Sequence, residues 1–266
     1  MNFSVLMAVY RRERPQFFRE ALQSLADQSH PAAEVVLVVD GPVGDDLEDV
    51  IGEYRETLPL KVVRLPENRG LAAALNEGLA HCSHPWVARM DSDDVALPGR
   101  FARQTAFLDA HPEIDVCGAW IEERDMAMAQ VLSIREVPLD HDAIRRFARR
   151  RNPISHPVCF FRKESVLAVG GYPPIGRAQD YALWALMLVR GYRFANLPEI
   201  LLRMRTGEGL LGRRGFGYFL CEIDLLRYQR AIGFLGRADF LVNMLIRFTF
   251  RIVPDGLKKR LYRLTR

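Results

Sequence analysis

Asp91, Asp93 and Asp94 put three carboxylates into the four residues Asp91-Ser92-Asp93-Asp94. At that spacing the charges repel strongly unless water or a cation screens them. Mg²⁺ or Mn²⁺ would relieve the repulsion, since each takes one or two protein carboxylates and fills its shell with phosphate oxygens and water. A diphosphate ligand therefore suits the cluster. The same residues also suit a solvated turn entering a helix at Pro98, but not a calcium-binding EF-hand loop, because Ala96 and Ala102 stand where that loop has its glycine and its glutamate. Asp40-Gly41 offers a carboxylate to a nucleobase or ribose, with a glycine that lets backbone approach closely, or equally a turn after a buried strand. Asn68-Arg69-Gly70-Leu71 marks a helix N-terminus that either faces an anion or is an ordinary Asn-capped start.

The elements that must position these groups alternate. Phe3 to Val9 is an apolar run of strand character, and Pro15 opens a segment with Phe17, Phe18, Ala21, Leu22 and Leu25 at helical spacing. Strands follow at Glu34–Val39, 60–65 and Trp86–Met90, with a helix over 71–79. Strand, crossover helix and parallel strand is the expected plan, and in such a sheet ligands gather beyond the carboxyl ends of the strands. Those ends carry Tyr10, Asp40-Gly41 and Asp91-Ser92-Asp93-Asp94. After Glu123 the alternation loosens: a strand around 116–121 precedes it, and a charged helix near 140–150, an apolar stretch at 157–161 and a helix over 179–189 come after.

The length of 266 residues allows one large domain or a domain with an appendage, and 49% hydrophobic residues mark a folded protein. Cys82, Cys117, Cys159 and Cys221 form no Cys-x-x-Cys pair and read as thiols of a reducing compartment. The start reads as strand, without a basic leader, so no signal peptide is expected. The formal net charge is +4, and from Arg247 onward seven Lys/Arg face one acid, so the basic excess belongs to a tail. No zinc-finger or RNA-recognition pattern accompanies that basicity, which argues against nucleic acid as a partner.

In their order these stretches resemble glycosyltransferase family 2. The resemblance runs from residue 3 to about 205 and rests on Ser4 to Tyr10, Val38-Val39-Asp40-Gly41, Asn68-Arg69-Gly70-Leu71, Asp91-Ser92-Asp93-Asp94 with Pro98 and Arg100, Gly170-Gly171-Tyr172, and Gln179-Asp180-Tyr181-Ala182-Leu183-Trp184. It implies the GT-A fold: an α/β architecture with a mostly parallel central sheet flanked by helices. It also implies a donor site at Tyr10, Asp40, Asn68, Gly70, Asp91 and Ser92, in which Asp40 recognises the base and Asp91 contacts the ribose or a metal-bound water. A Mn²⁺ or Mg²⁺ held by Asp93, with Asp91 as a second candidate, would bridge the donor diphosphate, and Asp180 would be the catalytic base of an inverting transfer. Two positions depart from the pattern: Arg11 stands where asparagine is common, and Gln179 where glutamate commonly precedes the base.

Asn152-Pro153-Ile154-Ser155-His156-Pro157 resembles the family's acceptor-side loop and brings His156 toward the reaction centre, although His156 also suits a satisfied loop histidine. Gln179 and Trp184 join it on the acceptor side. Trp184 and Tyr181 suit either stacking on a sugar face or packing in the core. The expected division is a catalytic domain over 1–233, with a donor half to about 123 and an acceptor half from 124, followed by a basic amphipathic tail over 234–266. In that tail Phe240, Leu241, Met244, Leu245, Phe248 and Ile252 form an apolar stripe, with Asn243, Arg247 and Arg251 on another face. The stripe suits either an anionic membrane surface or docking on the catalytic domain. The expectation is an enzyme on the inner face of the cell membrane that transfers a sugar from a nucleotide diphosphate donor, UDP-linked, to a lipid-linked saccharide. A nucleotidyltransferase or a non-catalytic nucleotide-sugar or membrane-binding module are the alternatives, and Asp180 downstream of the acidic cluster weighs against both.

Overall fold

A computed structural model of the chain describes residues 1–176, 178–206 and 216–252, with side chains of the last stretch described from 220 to 248. Its first half is a parallel β/α unit: β1 (Phe3–Val9), α1 (Pro15–Ala26), β2 (Glu34–Val39), α2 (Asp45–Glu53), β3 (Leu60–Arg64), α3 (Leu71–His81) and β4 (Trp86–Met90). The strands lie in the order β3-β2-β1-β4. They read as continuous apolar runs because helices cover both faces. On one face Val5, Met7 and Val9 meet Phe18, Leu22 and Leu25 of α1 and Leu47, Val50 and Ile51 of α2. On the other, Leu6, Val36 and Val38 meet Leu75 and Leu79 of α3. The helix α2 went unread in the sequence, where its acidic positions mask an i, i+3, i+4 triplet of Leu47, Val50 and Ile51.

Past β4 the sheet becomes mixed. After β5 (Val95–Ala96), α4 (Arg100–Ala110), β6 (Val116–Arg124), β7 (Val131–Arg135) and α5 (His141–Phe147), the chain returns as β8 (Phe160–Arg162), antiparallel to β4 and to β6. Then come α6 (Lys163–Ala168), α7 (Gln179–Val189) and β9 (Phe194–Arg205), which is parallel to β6 and antiparallel to β5. The parallel character therefore belongs to β1–β4 and to the β6/β9 pair. The returning strand inserts between β4 and β6, so the later strands are built onto the end of the parallel sheet that carries the acidic cluster.

Two helices close the described chain, α8 (Phe216–Ala231) and α9 (Arg237–Ile252). Leu225 of α8 packs on Tyr181 and Ala182 of α7. The docking of α9 inverts the usual amphipathic arrangement. Its polar face turns inward: Asp239 pairs with Arg149 and Arg150, Asn243 donates to the Arg149 carbonyl at 2.9 Å, and Arg247 pairs with Glu222. Its apolar face turns outward, with Leu241 66% and Leu245 65% exposed and Val242, Ile246 and Phe248 exposed beside them. Of the stripe, Phe240 and Met244 are half-buried, and the Arg230 guanidinium lies over the Phe240 ring. The basic segment 257–264 and the side chains of Arg251 and Ile252 lie outside the described residues. Among the described residues no helix is long and apolar enough to cross a membrane.

Candidate active site

The candidate site is assembled at the carboxyl ends of β1, β2 and β4, as the strand order requires. Tyr10 follows β1 and is exposed, and its carbonyl accepts from Glu13 in a turn. Asp40 follows β2 and is buried, and it organises the whole corner. Its Oδ2 accepts from Asn68 Nδ2 at 2.9 Å and from the Gly70 amide at 3.0 Å, and its Oδ1 accepts from the Arg69 amide at 2.7 Å. This arrangement fits the free amides at the start of α3 to a carboxylate borrowed from a neighbouring strand. Asn68 does not cap the helix itself, for its side chain is spent on Asp40. A carboxylate oxygen has two lone pairs, so Oδ1 keeps one for a ligand. Gly41 is obligatory here: its φ is +80°, and a Cβ would lie 2.5 Å from the Asn68 nitrogen.

Each member of the acidic cluster has a different task. Asp91 accepts from Nη2 of Arg89, a fully buried arginine on β4. Ser92 is buried and donates to Glu13 Oε2 at 2.5 Å, so its hydroxyl sets a further carboxylate beside the cluster. Burial, with Asp91 and Glu13 nearby, pushes the Asp93 carboxyl up to about 7. Asp94 is buried and accepts the Arg205 amide at 2.9 Å through Oδ1, while its Oδ2 has no partner. Burial and its two acidic neighbours raise its pKa well above the usual carboxylate value, and its hydrogen bond to the Arg205 amide makes its work structural. Arg205, at the end of β9, was not anticipated. Its guanidinium donates to the Asp93 carbonyl and to Glu20 and lies over the Phe17 ring, pinning the acidic loop to the far side of the sheet.

The fit to a cation can be judged from these groups. Among the described residues no three His, Cys, Asp or Glu side chains are gathered as a cage. Mg²⁺ and Mn²⁺ at a diphosphate need only one or two protein carboxylates, and Asp93 is a carboxylate whose surroundings make bare negative charge costly. Asp93 and the remaining oxygen of Asp91 fit such an ion.

Asp180 sits in the first turn of α7. Its Oδ2 accepts from Asn152 Nδ2 at 2.6 Å. Burial raises its pKa, and the Tyr181 amide and Asn152 pull it back in part. Asp91 adds to the rise, so the acidic cluster and Asp180 share one electrostatic neighbourhood. Ala178, which caps α7, holds φ +60°, a left-handed conformation that a non-glycine residue adopts only when its surroundings demand it. That strain lies two residues from Asp180. Asn152 could have been sought in the sequence only through the loop it opens, since nothing local marks its amide for Asp180.

His156 lies beneath the site. A 3.0 Å hydrogen bond joins its Nε2 to the Tyr172 hydroxyl, and burial with Arg89 close by holds its pKa well below the usual value, so it is neutral. The Gly170-Gly171-Tyr172 motif now has a physical basis: Asn76 of α3 clamps the Tyr172 amide and carbonyl, and Gly171, at φ +77°, leaves room for that clamp, since a Cβ would lie 2.4 Å from Asn76 Oδ1. Gln179 is buried at the start of α7. Trp184 requires a correction. It was placed on the acceptor side, but it is 0% exposed and packs edge-on to Phe194, with Phe161 and His156 around it. Its position one turn beyond Asp180 turns it to the sheet, and no sugar can reach it. Tyr181 is core as well, its hydroxyl donating to the Ala148 carbonyl at 2.5 Å.

Comparison with known proteins agrees with this geometry. Residues 4–170 match the model of glycosyl transferase family 2. The chain is 42% identical to an uncharacterized glycosyltransferase of Haemophilus influenzae, with 98% of each chain covered. It is 38% identical to the amylovoran biosynthesis glycosyltransferase AmsE of Erwinia amylovora, covering 98% of this chain and 97% of that one. A UDP-Gal:alpha-D-GlcNAc-diphosphoundecaprenol beta-1,3-galactosyltransferase of Escherichia coli is 33% identical over 98% of this chain and 95% of its own. Among solved structures, S. aureus TarS 1-349 in complex with UDP superposes with a TM-score of 0.69 at 21% identity, over 98% of this chain and 78% of that one. A mannosyltransferase of Pyrobaculum calidifontis, in complex with GDP-Man and Mn²⁺, gives 0.65 at 21% identity over 92% and 68%. The fold shared with these structures is GT-A.

Proposed function

The chain belongs to glycosyl transferase family 2, and on that footing we propose that it transfers a sugar with inversion from a UDP-linked donor to a lipid-linked oligosaccharide in cell-surface polysaccharide synthesis. The observation that carries this reading is the placement of Asp91 and Asp93 at the end of β4 opposite Asp180 on α7, close enough for Asp91 to raise Asp180. One side of the cleft suits a leaving diphosphate and the other a hydroxyl losing its proton. The UDP-linked donor and the diphosphoundecaprenol acceptor of the Escherichia coli relative supply the substrate classes.

Asp40 offers its free Oδ1 lone pair to the base, and Asp91 faces the ribose. Asp93, with Asp91 as a second ligand, would hold Mn²⁺ or Mg²⁺, which would supply positive charge to neutralise the departing diphosphate. Asp180 takes the proton of the acceptor hydroxyl as that oxygen bonds to the anomeric carbon, and the bond from that carbon to the diphosphate breaks on the opposite face. His156 and Gln179 shape the acceptor side from beneath. The enzyme works on the inner face of the cell membrane, with the exposed apolar side of α9 resting on lipid and the basic residues of segment 257–264 drawn to anionic headgroups. Such a seat brings the cleft to an acceptor that cannot leave the bilayer.

The test is product release from a panel of UDP-, GDP- and TDP-sugars with Mn²⁺, Mg²⁺ or chelator, in the presence of membrane lipid extract. Metal-dependent release of UDP from one UDP-sugar is expected. Sugar 1-phosphate in place of a nucleoside diphosphate would point to nucleotidyl transfer, and no metal-dependent turnover with any donor would sink the reading.

A further inference from the structure

The segment 148–155, between α5 and the turn at His156, lies in no sheet or helix, yet it carries the amide that holds Asp180. Its first residues turn back on the end of α5, and Asn196 of β9 donates to the Pro153 carbonyl at 3.2 Å; the contacts nearest Asn152 from other elements come from two helices. From α7, Tyr181, the neighbour of Asp180, donates its hydroxyl to the Ala148 carbonyl at 2.5 Å. From α9, Asp239 accepts from Arg150 Nη2 at 2.8 Å and from Arg149 Nη1 at 3.4 Å, and Asn243 Nδ2 donates to the Arg149 carbonyl at 2.9 Å. Asn243 is 3% exposed, so this amide sits in the docked face of α9 and not at its rim. Two to three residues further on, Asn152 donates to Asp180 Oδ2 at 2.6 Å. The contacts close a ring: α9 to Arg149 and Arg150, Asn152 to Asp180, and Tyr181 back to Ala148.

We propose that Asp239 and Asn243 of α9 are positioning residues for the catalytic base: they fix the 148–152 turn and thereby set the Asn152 amide against Asp180. The proposal rests on the reading of Asp180 as the base. It extends the site to a helix that touches neither donor nor acceptor in that reading. The ion pairs concerned are half exposed, with Arg149 and Arg150 side chains 50% and 40% accessible. Such pairs add little to stability, so their effect should appear in geometry, where a displacement of about 1 Å at a reacting group can cost on the order of a hundredfold in rate.

The experiment uses the full chain, with Asp239→Ala, Asn243→Ala, the double variant, Asp239→Glu and Asp180→Asn, reading kcat, donor KM and the melting midpoint. The expected result is a fall in kcat of roughly ten- to a hundredfold in the double variant, with donor KM unchanged and the carboxylate-retaining Asp239→Glu close to wild type. A double variant that melts as wild type and keeps its kcat overturns the proposal, as does a donor KM that rises in step with the loss of kcat. If Asp180→Asn keeps full turnover the base reading itself fails. If Asp180→Asn is inactive while the double variant is fully active, only the coupling through α9 fails.

Discussion

Asp93 and Asp180 are both carboxylates raised by burial, yet their surroundings differ in kind. After burial, the largest influences on Asp93 are the acids Asp91 and Glu13, with a weaker pull from Arg205, whereas those on Asp180 are donors, the Tyr181 N–H and the Asn152 amide, with a weaker push from Asp91. An acid among acids is stabilised by a cation. An acid among donors keeps its charge available yet is oriented, which is what proton removal from a hydroxyl needs. The contrast supports the proposed division, with leaving-group chemistry at the β4 edge and attack chemistry at α7. Three experiments test the division, beginning with the largest effect.

Replacing Asp180 with Asn should lower kcat by about 10²–10⁴-fold, the range of a positioned general base, while the response to added Mn²⁺ keeps its midpoint. Asp93→Asn should cost roughly a hundredfold or more and move that midpoint to higher metal. Steady-state rates across a metal titration check both. If Asp180→Asn moved the metal midpoint and Asp93→Asn left it in place, the assignment of the two edges would be reversed.

The second effect is one of pH. The Asp93 carboxyl, held near 7 by burial and its acidic neighbours, carries a proton below that value. A folded-state pKa above the ordinary one means that the native state binds more protons than the unfolded chain, so this group's contribution to stability falls as pH rises from about 4 to 7. A cation reverses the sign, since it binds the ionised form and must displace the proton at lower pH. The rise in melting midpoint caused by saturating-range Mn²⁺ should therefore be larger at pH 8 than at pH 6, with apparent affinity falling about tenfold per unit below 7. Equal shifts at both pH values would remove Asp93 from the metal site. Asp180 behaves differently: activity should fall as pH drops through its raised pKa, and Asn152→Ala should move that acid limb upward, because the Asn152 donor favours the charged form.

The two edges also differ in how far the sequence revealed them. The donor edge is written locally. β1, β2 and β4 are consecutive strands of a parallel unit, so their carboxyl ends must converge, and the groups that follow them are the site. What stayed hidden there is division of labour. Ser92 is spent on Glu13, Asn68 on Asp40, and Asp94 on the Arg205 amide, because the carboxylates and the backbone donor that claim them come from distant segments. The acceptor edge is built from β8, returning between β4 and β6, and from a turn clamped by α9. Asn152 meets Asp180 across 28 residues and Tyr172 meets Asn76 across 96, and no periodicity announces such pairings. The tail shows the same limit. Its amphipathic pattern was plain, but the choice of inner face follows from Arg149, Arg150 and Glu222, which offer charge partners to the polar side.

Trp184 gives the smallest effect and the finest test. An aromatic one turn after Asp180 would serve equally well as a stacking platform for a sugar or as the packing of α7 on the sheet, and helical spacing alone cannot separate the two. The structure puts it against Phe194 at 6.0 Å between ring centroids and leaves its Nε1 without a hydrogen-bond partner. Trp184→Phe removes that unsatisfied donor, which is favourable, and leaves a small void, which is not. The net should be a loss of about 1–2 kcal/mol, within the range of modest core truncations, or a melting point lower by roughly 2–8 °C for a chain of this size. Acceptor KM should not change, because the ring never meets the acceptor. A rise in acceptor KM with an unchanged melting point would put Trp184 back in the site and require α7 to present a different face to the cleft.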